Sequence, residues 1–164
     1  MNFAVVMLGT GLGYTCINDG KVILNKNQTP LHPLWNRPFK DGKSEDYVST
    51  KALLTEALTL GYKLNNIKDM AKIARDKDKA VLKIFQNYGA NLGLCIKNAM
   101  SADSFSEVVI GGQISRSWDL MQESFEKECN IKYTIIDDPV SCAVNGLYDC
   151  ALNGKDIFCK ICEE

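Results

Sequence analysis

The first 24 residues, MNFAVVMLGTGLGYTCINDGKVIL, set two glycine-rich turns between three short apolar stretches. Residues 3–8 are β-branched or apolar throughout, residues 14–17 continue after the glycines, and residues 21–24 return after Asn18-Asp19-Gly20. Stretches this short and this rich in β-branched side chains read as strands. Asn, Asp and Gly tolerate the positive φ of a tight hairpin turn, so the second turn reverses the chain. The spacing predicts a three-strand antiparallel meander with GTGLG, residues 9–13, as its first turn.

Beyond the meander the pattern changes. Residues 25–43 hold Pro30, Pro33 and Pro38, three of the four prolines, and read as a long loop. Ser44 is expected to cap a helix carrying Val48, Ala52, Leu53 and Ala57 as far as Gly61, and a short helix follows around residues 67–74. Asp76 or Asp78 starts the longest helix, with Val81, Ile84, Phe85, Tyr88, Leu92, Cys95, Ile96 and Ala99 at the 3.6-residue period. Gly89 and Gly93 lie inside it, where glycine costs about 1 kcal/mol relative to alanine. Either a close backbone approach requires them or they are merely tolerated.

The remainder alternates. Residues 107–110 read as a strand, Gly111-Gly112 as a turn, residues 115–129 as a helix, 131–136 as a strand and 139–152 as a helix. Strands separated by helices pair in parallel through right-handed crossovers. The expectation is an α/β chain: an antiparallel meander plus two parallel strands, with helices packed on the mixed sheet. Residues 1–152 form one lobe and 153–164 a C-terminal tail.

Composition narrows the partners. With 164 residues, 46% of them hydrophobic, the chain can bury one core of ordinary size. A net charge of −1, from 19 basic and 20 acidic residues, gives no broad basic field for nucleic acid or an anionic membrane. No apolar run reaches the roughly 20 residues of a membrane span, and no signal-peptide pattern opens the chain. A soluble, cytoplasmic protein is expected. The seven cysteines are odd in number, and Cys16, Cys95 and Cys142 fall in apolar periodic segments, which predicts reduced thiols. Cys159 and Cys162 have CxxC spacing, but tetrahedral zinc wants four ligands, so no metal site is assigned.

GTGLG fails two nucleotide motifs. The dinucleotide fingerprint needs a helix immediately after the glycines, and a strand follows instead. A Walker loop needs GxxxxGK before Ser or Thr, which is not found in this sequence. Two alternatives stay open: a bare hairpin turn using glycine for its conformation, or an anion cradle of backbone N–H groups with the Thr10 hydroxyl as a further donor. A second turn, in VVIGGQIS, puts Gly111 and Gly112 between a strand and a helix. Ligands of α/β sheets gather at such strand ends, although glycine αβ connections are also common. Two turns at strand ends of one sheet are placed to take two ends of one nucleotide.

These residues resemble the ROK family (repressor, open reading frame, kinase) of sugar kinases and sugar-responsive repressors. VVMLGTGLGYTCINDGKVI is similar to the family's GTGxGxG hairpin, and EDYVSTKALL, FQNYGANLGLCIKNAM, SEVVIGGQISRSWDLM and DDPVSCAVNGLY follow in the family's order. The resemblance covers nearly the whole chain and implies a ribonuclease-H-like, actin-like ATPase lobe. It implies that Gly9, Thr10, Gly11 and Gly13 face ATP phosphates and that Gly111 and Gly112 face the adenosine. Gln113 stands where the family has a third glycine, which would narrow the adenine slot. The family's sugar-binding ExGH segment falls near NQTPLH: His32 matches the histidine, while Thr29 replaces the glutamate and Leu31 the glycine. The family's zinc cysteines have no counterpart in PLWNRPFKDGKS, so no structural zinc is expected.

The family's DxGGT phosphate turn and catalytic aspartate are not matched in these residues, and no catalytic residue is assigned. The resemblance thus implies the C-terminal, nucleotide-binding lobe of an ATP-dependent sugar kinase, using ATP with Mg, that does not catalyse alone. The alternative is a non-catalytic, repressor-like sugar-sensing or assembly domain. Either would form a homo-oligomer, such as a dimer, or pair with an N-terminal lobe. A glycine-punctuated α/β domain without a ligand is the third reading.

Overall fold

The structure, a computed structural model, describes residues 2–153 and 159–161. Strands β1 (Asn2–Leu8), β2 (Leu12–Asn18) and β3 (Lys21–Leu24) form the expected meander, with Leu8 opposite Leu12 and Ile17 opposite Val22. Asp19 and Gly20 both have positive φ, 49° and 77°, as a tight hairpin turn between right-twisted strands demands. Ala4, Val6 and Leu8 alternate inward and are buried.

Within residues 25–43 the structure adds a hairpin where the proline content predicts only a loop. Its strands are β4 (Pro38–Phe39) and β5 (Gly42–Lys43), joined through Lys40 at φ 53°. Proline is tolerated as the first residue of a strand, where no ladder donor is lost. The single helix expected from Ser44 is two: α1 (Ser44–Tyr47) and α2 (Thr50–Thr59). Ser49 is extended, at φ −158°, and its hydroxyl accepts the Ala52 N–H at 3.2 Å. Ser44 is instead buried and donates its hydroxyl to the Arg37 carbonyl. The break arises because Val48 is drawn wholly into the core while Thr50 reaches the first glycine turn, donating both its N–H and its hydroxyl to the Gly9 carbonyl at 2.9 Å.

Helix α3 (Ile67–Arg75) is capped by Asn66, and α4 (Lys79–Asp103) by Asp78, whose carboxylate accepts the Ala80 and Val81 N–H groups. All eight apolar positions read from the α4 periodicity are buried. Strand β6 (Glu107–Gly111) pairs in parallel with β1, Phe3 opposite Glu107 and Met7 opposite Gly111. The helix expected over 115–129 is a 3-10 helix, Ile114–Leu120, followed by α5 (Gln122–Glu128). The backbone leaves helical geometry at Ser117 and Met121, and the Ser115 hydroxyl donates to the Gly112 carbonyl at 2.8 Å. Serine competes for backbone carbonyls in this way and disfavours a regular α ladder.

Strand β7 (Lys132–Ile135) pairs in parallel with β6, and α6 (Pro139–Asn153) follows. Strand β8 (Cys159–Ile161), in the stretch read as a tail, adds in parallel to β3. The sheet order is β7-β6-β1-β2-β3-β8. The five expected strands are present and mixed as predicted. One core joins Val6, Leu8 and Ile110 of the sheet to Phe85, Leu92 and Ile96 of α4 and Phe125 of α5. On α6, by contrast, Val140, Val144, Leu147, Tyr148 and Leu152 are all more than half exposed.

The helical glycines have a packing reason. A Cβ on Gly89 would overlap the Met121 carbonyl oxygen, and one on Gly93 would lie 2.9 Å from the Phe125 carbonyl oxygen and the Glu128 Cβ. Helices α4 and α5 therefore touch backbone to backbone. Gly89→Ala is expected to destabilise the protein by about 1–3 kcal/mol through overpacking, although alanine is the better helix former. Gly146→Ala in α6, where a Cβ meets nothing within 4 Å, should be neutral or stabilising. Urea unfolding of the two variants checks the contrast.

Candidate functional site

Because β1 and β6 run in parallel with Met7 opposite Gly111, their C-terminal ends are neighbours and their turns open side by side. Gly9, Gly11, Gly13, Gly112 and Gln113 line a single cleft of about 490 Å3 together with Glu45. Five of the seven residues read as the nucleotide site thus share it. Thr10 is exposed at the tip of the hairpin and faces two adjoining grooves, both shared with Lys51 of α2. Gly111 lies at the base of the second turn, where a Cβ would sit 2.9 Å from Ile136 and 3.1 Å from the Met7 sulfur.

The glycines differ in what a side chain would meet at each position. Gly112 has φ 99°, and a Cβ there would overlap the Leu8 backbone. Gly13 is pressed by Met7 at 3.0 Å, and Gly11 by a Glu45 carboxylate oxygen at 2.6 Å. None of Gly9, Gly11 and Gly13 lies in the left-handed region, so the hairpin does not use glycine for its conformation. Around Gly9 a Cβ would meet nothing within 4 Å. Its missing side chain serves no internal contact, while its own N–H donates to the Gly11 carbonyl at 3.2 Å and its carbonyl accepts from Thr50.

Beyond Gln113 the cleft continues into a groove of about 650 Å3 between the start of α3 and the 3-10 helix, lined by Asn65, Lys68, Arg75 and Arg116 among others. Arg75 is engaged with Asp119 through two hydrogen bonds of 2.9 and 2.6 Å, and this partner holds the Asp119 carboxyl below the usual carboxylate range. Gln113 is exposed and borders both spaces.

His32 lies elsewhere. It is exposed and lines a separate cavity of about 160 Å3 with Tyr14, Cys16 and Asp103. There Asp103, only 4% exposed, accepts from the Tyr14 hydroxyl and from the Arg37 guanidinium on the same oxygen, each at 2.5 Å. Arg37 also donates to the carbonyls of His32 and Pro33 and stacks 5.3 Å from the Tyr14 ring centre. Burial first, and the bond to Asp103 second, hold the Tyr14 phenol far above its ordinary pKa. This network pins the 25–43 loop to the end of α4.

Three side chains at these cavities escaped the sequence. Arg37 and Asp103 are 66 residues apart, and no local pattern joins them. Glu45 stands inside EDYVSTKALL, but only the fold turns it toward the cleft. Among the described residues, no group of three or more His, Cys, Asp or Glu side chains is placed to hold a metal ion. Cys162, half of the CxxC pair, lies outside the described residues. Cys16, Cys95, Cys129 and Cys142 are free thiols, and no described helix is long and apolar enough to cross a membrane.

No protein-family model matches the chain, and no curated protein matches its sequence. Solved structures do. A candidate sugar kinase from Cytophaga hutchinsonii superposes with a TM-score of 0.80 at 17% identity, over 93% of this chain and 58% of that one. A ROK-family glucokinase from Streptomyces griseus, solved with glucose and AMPPNP, gives 0.67 at 19% identity, over 82% and 55%. A ROK-family transcriptional regulator homologous to the E. coli MLC protein gives 0.69 at 19% identity, over 82% and 41%. The chain spans about half the length of these structures. At such identities the likeness is one of fold: the chain shares the mixed α/β fold of these sugar kinase and ROK-family structures, over part of their length.

Proposed function

We propose that this chain is the nucleotide-binding, C-terminal lobe of a ROK-type ATP-dependent sugar kinase. The observation that carries the proposal is Gly9, a glycine without internal cause on a cleft shared by two glycine turns. Backbone N–H groups of the first turn, with the Thr10 hydroxyl beside them, suit phosphate oxygens. Gly112 and Gln113 lead from there into the groove bordered by Lys68 and Arg116, which suits the nucleoside end. A magnesium ion would travel with the nucleotide and neutralise charge on its phosphates.

Phosphoryl transfer also needs a base positioned at the acceptor hydroxyl. His32 is assigned to the sugar side, on the loop that Arg37 pins, and it lines a different cavity from the glycine turns. Asp103 already accepts from two donors on one oxygen, which suits a brace better than a base. On this reading the described residues hold nucleotide, and the acceptor hydroxyl is activated by a facing lobe.

Calorimetric titration with Mg-ADP and Mg-ATP tests the proposal. Binding is expected, and Gly9→Val should weaken it about tenfold or more, equivalent to 1.4 kcal/mol, while leaving the melting temperature nearly unchanged because the added side chain meets open space. Absence of binding at millimolar nucleotide, or an unaltered Kd in the valine variant, would sink the proposal.

A second reading, a non-catalytic assembly or sensing domain, is favoured by α6. Its stripe Val140, Val144, Leu147, Tyr148 and Leu152 leaves large apolar side chains in water, which soluble proteins rarely do without a partner. A second copy of this chain is the occupant tested. Light scattering should show mass rising with concentration, and Leu147→Glu, at a position 72% exposed, should abolish the rise without unfolding the protein. Monomers at every concentration would contradict it.

A further inference from the structure

Among the residues lining the glycine cleft, Glu45 alone is charged, and its charge has the sign of a phosphate. One carboxylate oxygen accepts the Leu12 N–H at 3.0 Å, the amide that follows the turn. The same oxygen would lie 2.6 Å from a Cβ on Gly11, so a side chain there would force the carboxylate to shift. A carboxylate accepting a backbone amide in a glycine turn does what a phosphate oxygen would do there.

Glu45 is held in place rather than left to wander. Its own N–H donates to the Trp35 carbonyl at 3.0 Å, and the Ser44 N–H to the Arg37 carbonyl at 2.9 Å. Those carbonyls belong to the loop that the Arg37–Asp103 pair fixes to α4. The backbone that carries the charge is therefore tied to the loop, the Leu12 N–H holds the carboxylate at the cleft, and half-buried charges are screened less than exposed ones. A phosphate brought to this turn would meet a like charge at near hydrogen-bonding range, where repulsion is strong.

Resting on the nucleotide reading above, we propose that Glu45 is a specificity-determining residue that acts as a charge filter. It competes with phosphate for the Leu12 amide and admits a nucleotide only when a divalent cation offsets the phosphate charge. The cleft thereby selects the metal complex of a nucleoside di- or triphosphate over the free anion.

The experiment compares the natural protein with Glu45→Gln, which keeps shape and one acceptor oxygen but removes the charge. ADP is titrated in excess magnesium and in excess EDTA, with Kd from calorimetry and the backbone amide signals of residues 9–12 from NMR. In the natural protein Mg-ADP is expected to bind about tenfold or more tighter than free ADP, and in Glu45→Gln free ADP should gain about tenfold, so that the preference for the metal complex collapses. Glu45→Ala, which also releases the Leu12 amide, should give at least the same gain. If Mg-ADP binds but neither variant gains affinity for free ADP, the filter is overturned and the nucleotide reading survives. If all three proteins are folded by NMR and none binds ADP in either form, both fall together.

Discussion

The contact between Gly112 and Leu8 is the constraint on which the site depends. Strands β1 and β6 are parallel neighbours, and the backbone leaving β6 passes so close to the end of β1 that no side chain fits between them. Gly112 also adopts φ 99°, a conformation that disfavours any L side chain. One residue thus satisfies a steric and a conformational demand at once. Its consequence is that the hairpin turn of β1–β2 and the strand-to-helix turn of β6 open on one cleft instead of at separate places on the sheet edge.

A second set of contacts carries order from the core to that cleft. Asp103 at the end of α4 binds Tyr14 of β2 and Arg37 of the proline-rich loop; Arg37 and Trp35 then accept, through their carbonyls, the N–H groups of Ser44 and Glu45. Removing one partner of a buried ion pair commonly costs about 3–5 kcal/mol, because the remaining charge is stranded. With Asp103 at 4% exposure, the pair is too well buried to be a surface ornament. A loop with three prolines becomes a rigid arm, and the arm ends at Glu45.

What the sequence showed and what it hid divide along physical lines. Local periodicity carried the meander, the Asp19-Gly20 turn and every buried apolar position of α4, because each depends on residues within a few positions of one another. The break at Val48–Ser49 and the 3-10 start of the segment after Gly112 were hidden because tertiary contacts decide them: Thr50 tethered to Gly9, and Ser115 bonded back to Gly112. Strand β8 owes its place to pairing with β3, about 135 residues earlier, which three residues of sequence do not announce. In the candidate site, the glycines were legible as a pattern but not their separate causes. Gly11 reads like a phosphate contact, yet a side chain there would meet the Glu45 carboxylate, whereas one at Gly9 would meet open space.

That distinction bears on what the cleft can do. A glycine explained by an internal neighbour says nothing about a ligand, so the case for a nucleotide narrows from five glycines to Gly9 and to the convergence of two turns. The same geometry divides holding from transferring. The charged group at the cleft, Glu45, is already bonded to the turn, and Asp103 is bonded to Tyr14 and Arg37. The Asp103 oxygen that accepts from both Tyr14 and Arg37 is occupied by structural partners. On the proposed reading, positioning a phosphate would fall to backbone and hydroxyl groups on these strands, while proton abstraction from an acceptor would fall to a surface facing them.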